Sequence, residues 1–83
     1  MIVIYGRTGC GWCEKAVDKA DQYGLKYEYR NIMHNDEWKR ELLEACPDCK
    51  TVPQIFWHDR HVGGYEEFVR EIENTRNYGD GKI

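Results

Sequence analysis

Hydrophobic positions along this chain fall into short segments whose period changes from one to the next. Met1 to Tyr5 is a nearly unbroken apolar run, the mark of a strand covered on both faces in a partly parallel sheet. Gly6-Arg7-Thr8-Gly9 is the turn out of it. From Trp12 to Tyr23, the residues Trp12, Ala16, Val17, Ala20 and Tyr23 recur at helical spacing, predicting an amphipathic helix that stops at Gly24. Lys26 to Ile32 alternates instead, with Tyr27 and Tyr29 on one face and Glu28 and Arg30 on the other, as in a half-exposed strand. Asn35 or Asp36 can cap a second helix, whose apolar face is Trp38, Leu42, Leu43 and Ala45 and which ends before Pro47. Val52 to Trp57 reads as a third strand, with Pro53 at its start because a central ladder would miss its N–H. His58-Asp59-Arg60 is turn-like and His61-Val62 a very short returning strand. Gly63-Gly64 then opens a third helix that buries Phe68, Val69 and Ile72, and Asn77 to Ile83 is expected to be a frayed tail. The order is β-α-β-α-β-β-α. The right-handed crossover rule places its helices on both sides of one small sheet, an α/β architecture.

With 83 residues and no linker, repeat or low-complexity stretch, residues 1–83 are expected to form a single domain. A hydrophobic content of 41% with 13% aromatics is too rich for a disordered chain. A formal net charge of −3 without a local basic run argues against nucleic-acid binding. The longest apolar runs are too short for a membrane span or a signal-peptide core, so the expected compartment is the reducing cytoplasm. There, 4 cysteines in so short a chain read as catalytic or metal-binding rather than as structural staples. A monomer is expected.

The cysteines come as two pairs, and the first stands where the chemistry should be. Cys10-Gly11-Trp12-Cys13 lies where the first strand hands over to a helix. One turn of separation lets the two sulfurs form a disulfide or bind one soft metal. The free N–H groups of the helix start favour the thiolate of Cys10 over its thiol, with Arg7 and Lys15 as nearby cations in sequence. Cys13, one turn in, should be shielded and more thiol-like. Trp12 reads either as an exposed contact surface or as a core aromatic.

Three motifs give the chain a resemblance to the glutaredoxin family: Cys10-Gly11-Trp12-Cys13 at the first helix, Thr51-Val52-Pro53 before the third strand, and Gly63-Gly64-Tyr65-Glu66 at the last helix. The resemblance runs from Met1 to about Arg76. It implies a thioredoxin-like fold with a small four-stranded mixed sheet flanked by three helices. It also implies a dithiol thiol–disulfide oxidoreductase that uses glutathione as reductant and acts on disulfide-containing or glutathionylated proteins, with ribonucleotide reductase as a client. Cys10 would be the attacking thiol and Cys13 the resolving one. Pro53 would be cis beside the active disulfide, where an ordinary trans proline is the plain alternative, leaving the backbone of Val52 to pair with a bound cysteinyl peptide. Thr51 offers a hydroxyl to the ligand or to the local backbone. Gly63, Gly64 and the N–H of Tyr65 would hold the γ-glutamyl carboxylate, and Glu66 would receive its amino group. Arg7, with Lys50, would meet the glycyl carboxylate, and Gln54 points either there or to solvent.

The chain departs from the family pattern at named places. Gly11-Trp12 stands where dithiol members most often have Pro-Tyr, Arg7 stands for the usual lysine, and Glu66 stands for the usual aspartate. Cys46-Pro47-Asp48-Cys49 is a second pair immediately upstream of Thr51-Val52-Pro53. By spacing, the four cysteines could hold zinc or an iron–sulfur cluster, which is the alternative to the oxidoreductase reading. The second pair could also be a redox relay or incidental. His34, His58 and His61 show no spacing of a metal triad.

Overall fold

A computed structural model describes residues 1–79, with side chains through Asn74. Its elements are β1 (Ile2–Gly6), α1 (Gly11–Gln22), β2 (Tyr27–Asn31), α2 (Asp36–Ala45), β3 (Gln54–Trp57), β4 (Arg60–Gly63) and α3 (Tyr65–Gly79). The four strands form one sheet in the order β2-β1-β3-β4. β1 runs parallel to β2 and antiparallel to β3, and β3 and β4 form a hairpin. The central place of β1 explains its unbroken apolar sequence, because both of its faces are covered.

Ile2 and Ile4 point to one face of the sheet, where they meet Ile55, Ala16 and Ala20 of α1, and Phe68 and Ile72 of α3. Small residues on α1 let that helix lie close to the sheet, and Phe68 fills the space between helix and strands. Tyr5 faces the other way, edge-on to Phe56 at 5.6 Å between ring centres. On that side the Arg30 guanidinium donates to Tyr5 Oη at 3.0 Å and to Glu41 of α2 at 2.8 Å, and it also pairs with Glu28. α2 is thus joined to the sheet through charged groups as well as through Leu42, its one buried residue. The apolar face expected of α2 is correspondingly narrower than its sequence suggests: Leu43 is 44% exposed, and Ala45 is exposed.

Local signals set the boundaries. α1 ends at Tyr23 with Gly24 at φ +65°, and the Leu25 N–H returns to Ala20 O at 2.9 Å while the Gly24 N–H reaches Asp21 O at 3.1 Å, a Schellman cap. Asn35 caps α2, its side chain accepting from Glu37 N–H at 2.8 Å. β3 begins at Gln54 rather than Val52, since the Val52–Pro53 bond is cis and Pro53 brings no N–H to the ladder. His58 and Asp59 both take left-handed φ values, 51° and 65°, in the two-residue turn between β3 and β4. β4 is a residue longer at each end than expected. α3 continues through Gly79, past the point at which fraying was expected. The last part of that expected tail, residues 80–83, lies outside the described residues.

Candidate active site

The loop 7–9 leaves the central strand and delivers Cys10 to the N-cap of α1, at φ −99° and ψ 106°. Cys10 Sγ accepts the Cys13 N–H at 3.2 Å, so a main-chain donor of the first helical turn is aimed at the sulfur. Cys10 and Cys13 are joined as a disulfide with their Cα atoms 5.2 Å apart. Cys10 is half-buried, whereas Cys13 is sealed at 0% exposure. Of the two sulfurs, only that of Cys10 can be reached by a third. Across from it, Cys10 Sγ lies 3.7 Å from the carbonyl oxygen of Val52, the residue before the cis Pro53.

Two grooves lie beside this sulfur, and Cys10 itself lines the larger of them. The larger, an open cleft of ≈ 560 Å³, runs from Arg7 and Cys10 past Leu42 and Leu43 to Cys49 and Lys50. The smaller, ≈ 210 Å³, runs from Pro53 to Gly64, Tyr65 and Glu66 at the start of α3. Both are lined by Trp12, Thr51 and Val52, which therefore stand between them. Arg7, Lys39 and Lys50 line only the first groove, and Glu66 and Glu67 line only the second. The surface beside Cys10 is cationic at one end and carries both acids and a helix N-terminus at the other.

Trp12 belongs to this surface, not to the core. It is 54% exposed, its ring centre lies 5.5 Å from that of Tyr65, and Lys15 Nζ sits 4.3 Å over its face. At the start of α3, Gly64 O accepts the Phe68 N–H at 3.0 Å, and Glu67 Oε1 accepts the Gly64 N–H at 2.9 Å. This is a capping box with glycine as the cap. Gly63 has φ +124°, and a Cβ there would come within 3.0 Å of Glu67 Cγ, so both its conformation and its crowding call for glycine. Glu66 is exposed, next to the groove.

Gln54 points neither to solvent nor to the carboxylate end of the cleft, contrary to both expectations for it. It is 7% exposed and fully bonded. Its amide nitrogen donates to Thr51 O at 3.1 Å and approaches Thr51 Oγ1 at 3.4 Å. A main-chain carbonyl can only accept, so the amide oxygen must face the other way, toward His61 Nε2 at 2.8 Å. That contact puts a proton on Nε2. His61 is further fixed by stacking on Phe56 at 4.8 Å. The Thr51 hydroxyl thus lies beside the Gln54 side-chain amide.

The same nitrogen of His61 lies 3.9 Å from Cys49 Sγ. Sequence spacing did not couple His61 to the second cysteine pair, because the link is made by the hairpin: β4 pairs His61 with Phe56, bringing its ring over the loop that enters β3. The only signal for it was the turn at His58-Asp59. Cys46 and Cys49 are joined as a disulfide, and Cys49 opens on the same cleft as Cys10.

Comparisons with known proteins agree with this geometry. The glutaredoxin family model matches residues 2–62. Glutaredoxin 1 of Escherichia coli K12 is 38% identical over 79 residues, 88% of this chain and 93% of that protein. The solution structure of reduced E. coli glutaredoxin superposes with a TM-score of 0.77 at 33% identity, covering 92% of this chain and 96% of the other. A crystal structure of a buckwheat glutaredoxin–glutathione complex superposes with a TM-score of 0.75 at 25% identity, over 89% and 69% of the two chains. Among the described residues no helix is long and apolar enough to cross a membrane. A thioredoxin-like sheet, an N-capping cysteine bonded to a buried partner one turn on, and a cis-proline segment facing the sulfur make this chain a member of the glutaredoxin family, a thiol–disulfide oxidoreductase whose redox-active pair is Cys10–Cys13.

Proposed function

We propose that the protein is a glutathione-dependent reductase of glutathione mixed disulfides and of protein disulfides. The observation that carries this reading is the position of Cys10 Sγ in the cationic cleft, opposite the Val52 main chain that this cleft shares with the groove at the start of α3. Glutathione has two carboxylates and one ammonium spaced along a short extended chain, with its thiol between them. Arg7, with Lys50, matches the glycyl carboxylate, and a guanidinium can hold it with two parallel bonds. Thr51, Val52 and Pro53 offer main chain to the cysteinyl unit. Gly63, Gly64 and the Tyr65 N–H form the α3 end for the γ-glutamyl carboxylate, and Glu66 pairs with its ammonium. Trp12, tilted against Tyr65, gives the ligand an apolar side wall.

In the first half-reaction the Cys10 thiolate attacks the glutathione sulfur of a mixed disulfide. A Cys10–glutathione disulfide forms, and the substrate thiolate leaves and takes up a proton. A second glutathione thiolate then attacks the glutathione sulfur on Cys10, releasing oxidised glutathione and the Cys10 thiolate. With a protein disulfide, Cys10 first becomes linked to the client, and Cys13 attacks Cys10 Sγ to expel the client thiol and close the Cys10–Cys13 bond. Two glutathiones reopen it. The burial of Cys13 keeps it from competing for substrate and leaves its own neighbour as the sulfur within its reach. Such a cycle runs in a reducing compartment such as the cytoplasm, with ribonucleotide reductase as a client of matching chemistry.

Single serine variants test the roles. Cys10→Ser should abolish both activities. Cys13→Ser should retain much of the deglutathionylation and lose reduction of protein disulfides. An active Cys10 variant, or a Cys13 variant that loses both activities alike, would contradict the assignment.

A further inference from the structure

The oxidoreductase cycle uses only one of the two cysteine pairs. Cys46, Cys49 and His61 form a second constellation whose ligand atoms all lie within 4.8 Å of one another. We propose that, once the Cys46–Cys49 disulfide is reduced, Cys46, Cys49 and His61 bind one zinc ion, with the fourth coordination position open.

Three features of the local structure support this. First, the spacing of the two cysteines is held by the backbone and not by the sulfur–sulfur bond alone. Cys46 caps α2 with its N–H on Leu42 O at 2.8 Å, and the Cys49 N–H returns to Cys46 O at 3.0 Å, leaving the Cα atoms 5.4 Å apart. Reduction frees the thiols on a turn that keeps both pointing to one place, the knuckle geometry of Cys-x-x-Cys zinc ligands. Second, the His61 ring is already oriented by its stacking on Phe56 and by Gln54, with Nε2 3.9 Å from Cys49 Sγ. Zinc–sulfur bonds of about 2.3 Å and zinc–nitrogen bonds of about 2.0 Å need ligand atoms roughly 3.5–3.8 Å apart, so the three atoms must shift by about 1 Å to enclose an ion. Third, the charges balance. Two thiolates neutralise Zn²⁺, and a neutral imidazole adds nothing, which suits a half-buried site better than four thiolates would.

The chemistry is complete with reagents of known class. Two thiols of the glutathione class reduce the disulfide, giving two cysteine thiols and one oxidised disulfide. Zinc then displaces one proton from each thiol. The His61 proton moves from Nε2 to Nδ1 without change of charge, and Gln54 Oε1 is left beside the metal as an acceptor for a bound water. In the reverse direction a disulfide of the same class takes two electrons from the thiolates, the Cys46–Cys49 bond closes, two small thiols form with two protons from solvent, and the ion is released. Because Cys49 is followed directly by Lys50, Thr51 and Val52, the site fixes one wall of the Cys10 cleft.

Cobalt(II) serves as a spectroscopic stand-in for zinc, since tetrahedral thiolate coordination gives intense visible bands. The test uses the whole chain, reduced with a phosphine and kept anaerobic. Wild type should take up one equivalent of cobalt with release of two protons, and one equivalent of zinc should displace it with no further proton release. The Cys10→Ser/Cys13→Ser double variant should bind equally well. The Cys46→Ser/Cys49→Ser variant should lose the bands, and His61→Ala should bind at least tenfold more weakly. Because His61 also bonds the buried Gln54, far-ultraviolet circular dichroism and the unfolding midpoint check that His61→Ala keeps the fold. Should the Cys46/Cys49 double variant misfold, wild type oxidised at that pair replaces it and must not bind. Absence of binding to reduced wild type, loss of binding in the Cys10/Cys13 variant, or equal affinity in His61→Ala would each overturn the site as drawn.

Discussion

Exchanging Glu67 for glutamine separates two effects that one carboxylate exerts at the N-terminus of α3. Its Oε1 accepts the Gly64 N–H at 2.9 Å and so completes the cap, while its charge occupies the terminus proposed to hold the γ-glutamyl carboxylate of glutathione. Glutamine keeps an oxygen for the cap and removes the charge. Stability should fall by about 0.3–1 kcal/mol through the lost interaction with the helix dipole. Glu67→Ala, which also loses the acceptor, should cost about 1–2 kcal/mol. Glutathione binding should move the other way. Two like charges about 6 Å apart in a water-like dielectric repel by about 0.7 kcal/mol, so Glu67→Gln should lower the KM for glutathione roughly threefold at low salt. At 0.15 M ionic strength the Debye length of about 8 Å should reduce that gain to less than twofold. The assays are urea unfolding followed by tryptophan fluorescence, and turnover of a glutathione mixed disulfide at two salt concentrations. A KM that is unchanged or higher at low salt, or a gain indifferent to salt, would refute the placement of the ligand carboxylate. Glu66→Ala, by contrast, should weaken glutathione by roughly 1 kcal/mol, because that neighbour is proposed to pair with the ammonium.

Gly6→Ala would bring a Cβ to 2.8 Å from Tyr29 Cζ and 2.9 Å from Cε1, so it should destabilise by about 1–3 kcal/mol in urea titration; adding Tyr29→Leu should recover part of the loss, and strict additivity would show that the two residues do not collide. Asp59→Gly relieves a left-handed residue at φ 65° in the β3–β4 turn and should raise the thermal midpoint by a few degrees, about 0.5 kcal/mol; a lowered midpoint would mean that the Asp59 side chain supports the turn. Burial, with the Glu14 charge second, raises the Tyr29 phenol above its ordinary value of 10.0, and Tyr27 is raised by burial and by Asp21. The folded chain keeps these protons when the unfolded chain has lost them, so stability should decline as pH rises above about 10, and Tyr29→Phe should flatten that decline; an unchanged slope would assign it to other groups.

The first and last thirds of the chain were the most legible. An unbroken apolar run could only be the strand with neighbours on both sides, and β1 is that strand. Gly24 and Asn35 marked helix ends because each meets a backbone requirement within a few residues of itself. The active-site pair was legible for the same reason, since a helix start and two thiols one turn apart are local facts. The misreadings concern contacts between elements. The pattern of α2 promised a wider apolar face, but Arg30 and Glu41 make part of its junction with the sheet, and a charged contact leaves no hydrophobic period. Gln54 reads in sequence as facing either the ligand or solvent, whereas Thr51 and His61 are its partners. The approach of His61 to Cys49 depends on a hairpin register that no spacing along the chain encodes.

The single buried anchor of α2 gives the two walls of the cleft unequal mechanical character. One wall is the start of α1, held by the central core. The opposite wall, with Lys39, Leu42 and Leu43, is carried by a helix seated on Leu42 and on an ion pair that salt weakens. Local opening costs least where few apolar contacts resist it, so amide hydrogens along α2 should exchange well before those of β1 and β3. Under the proposed function, an incoming protein disulfide would meet a rigid sulfur beside a jaw that yields to the bulk of its bearer. The looseness of that helix would then let one unchanged sulfur reach cysteines on differently shaped surfaces.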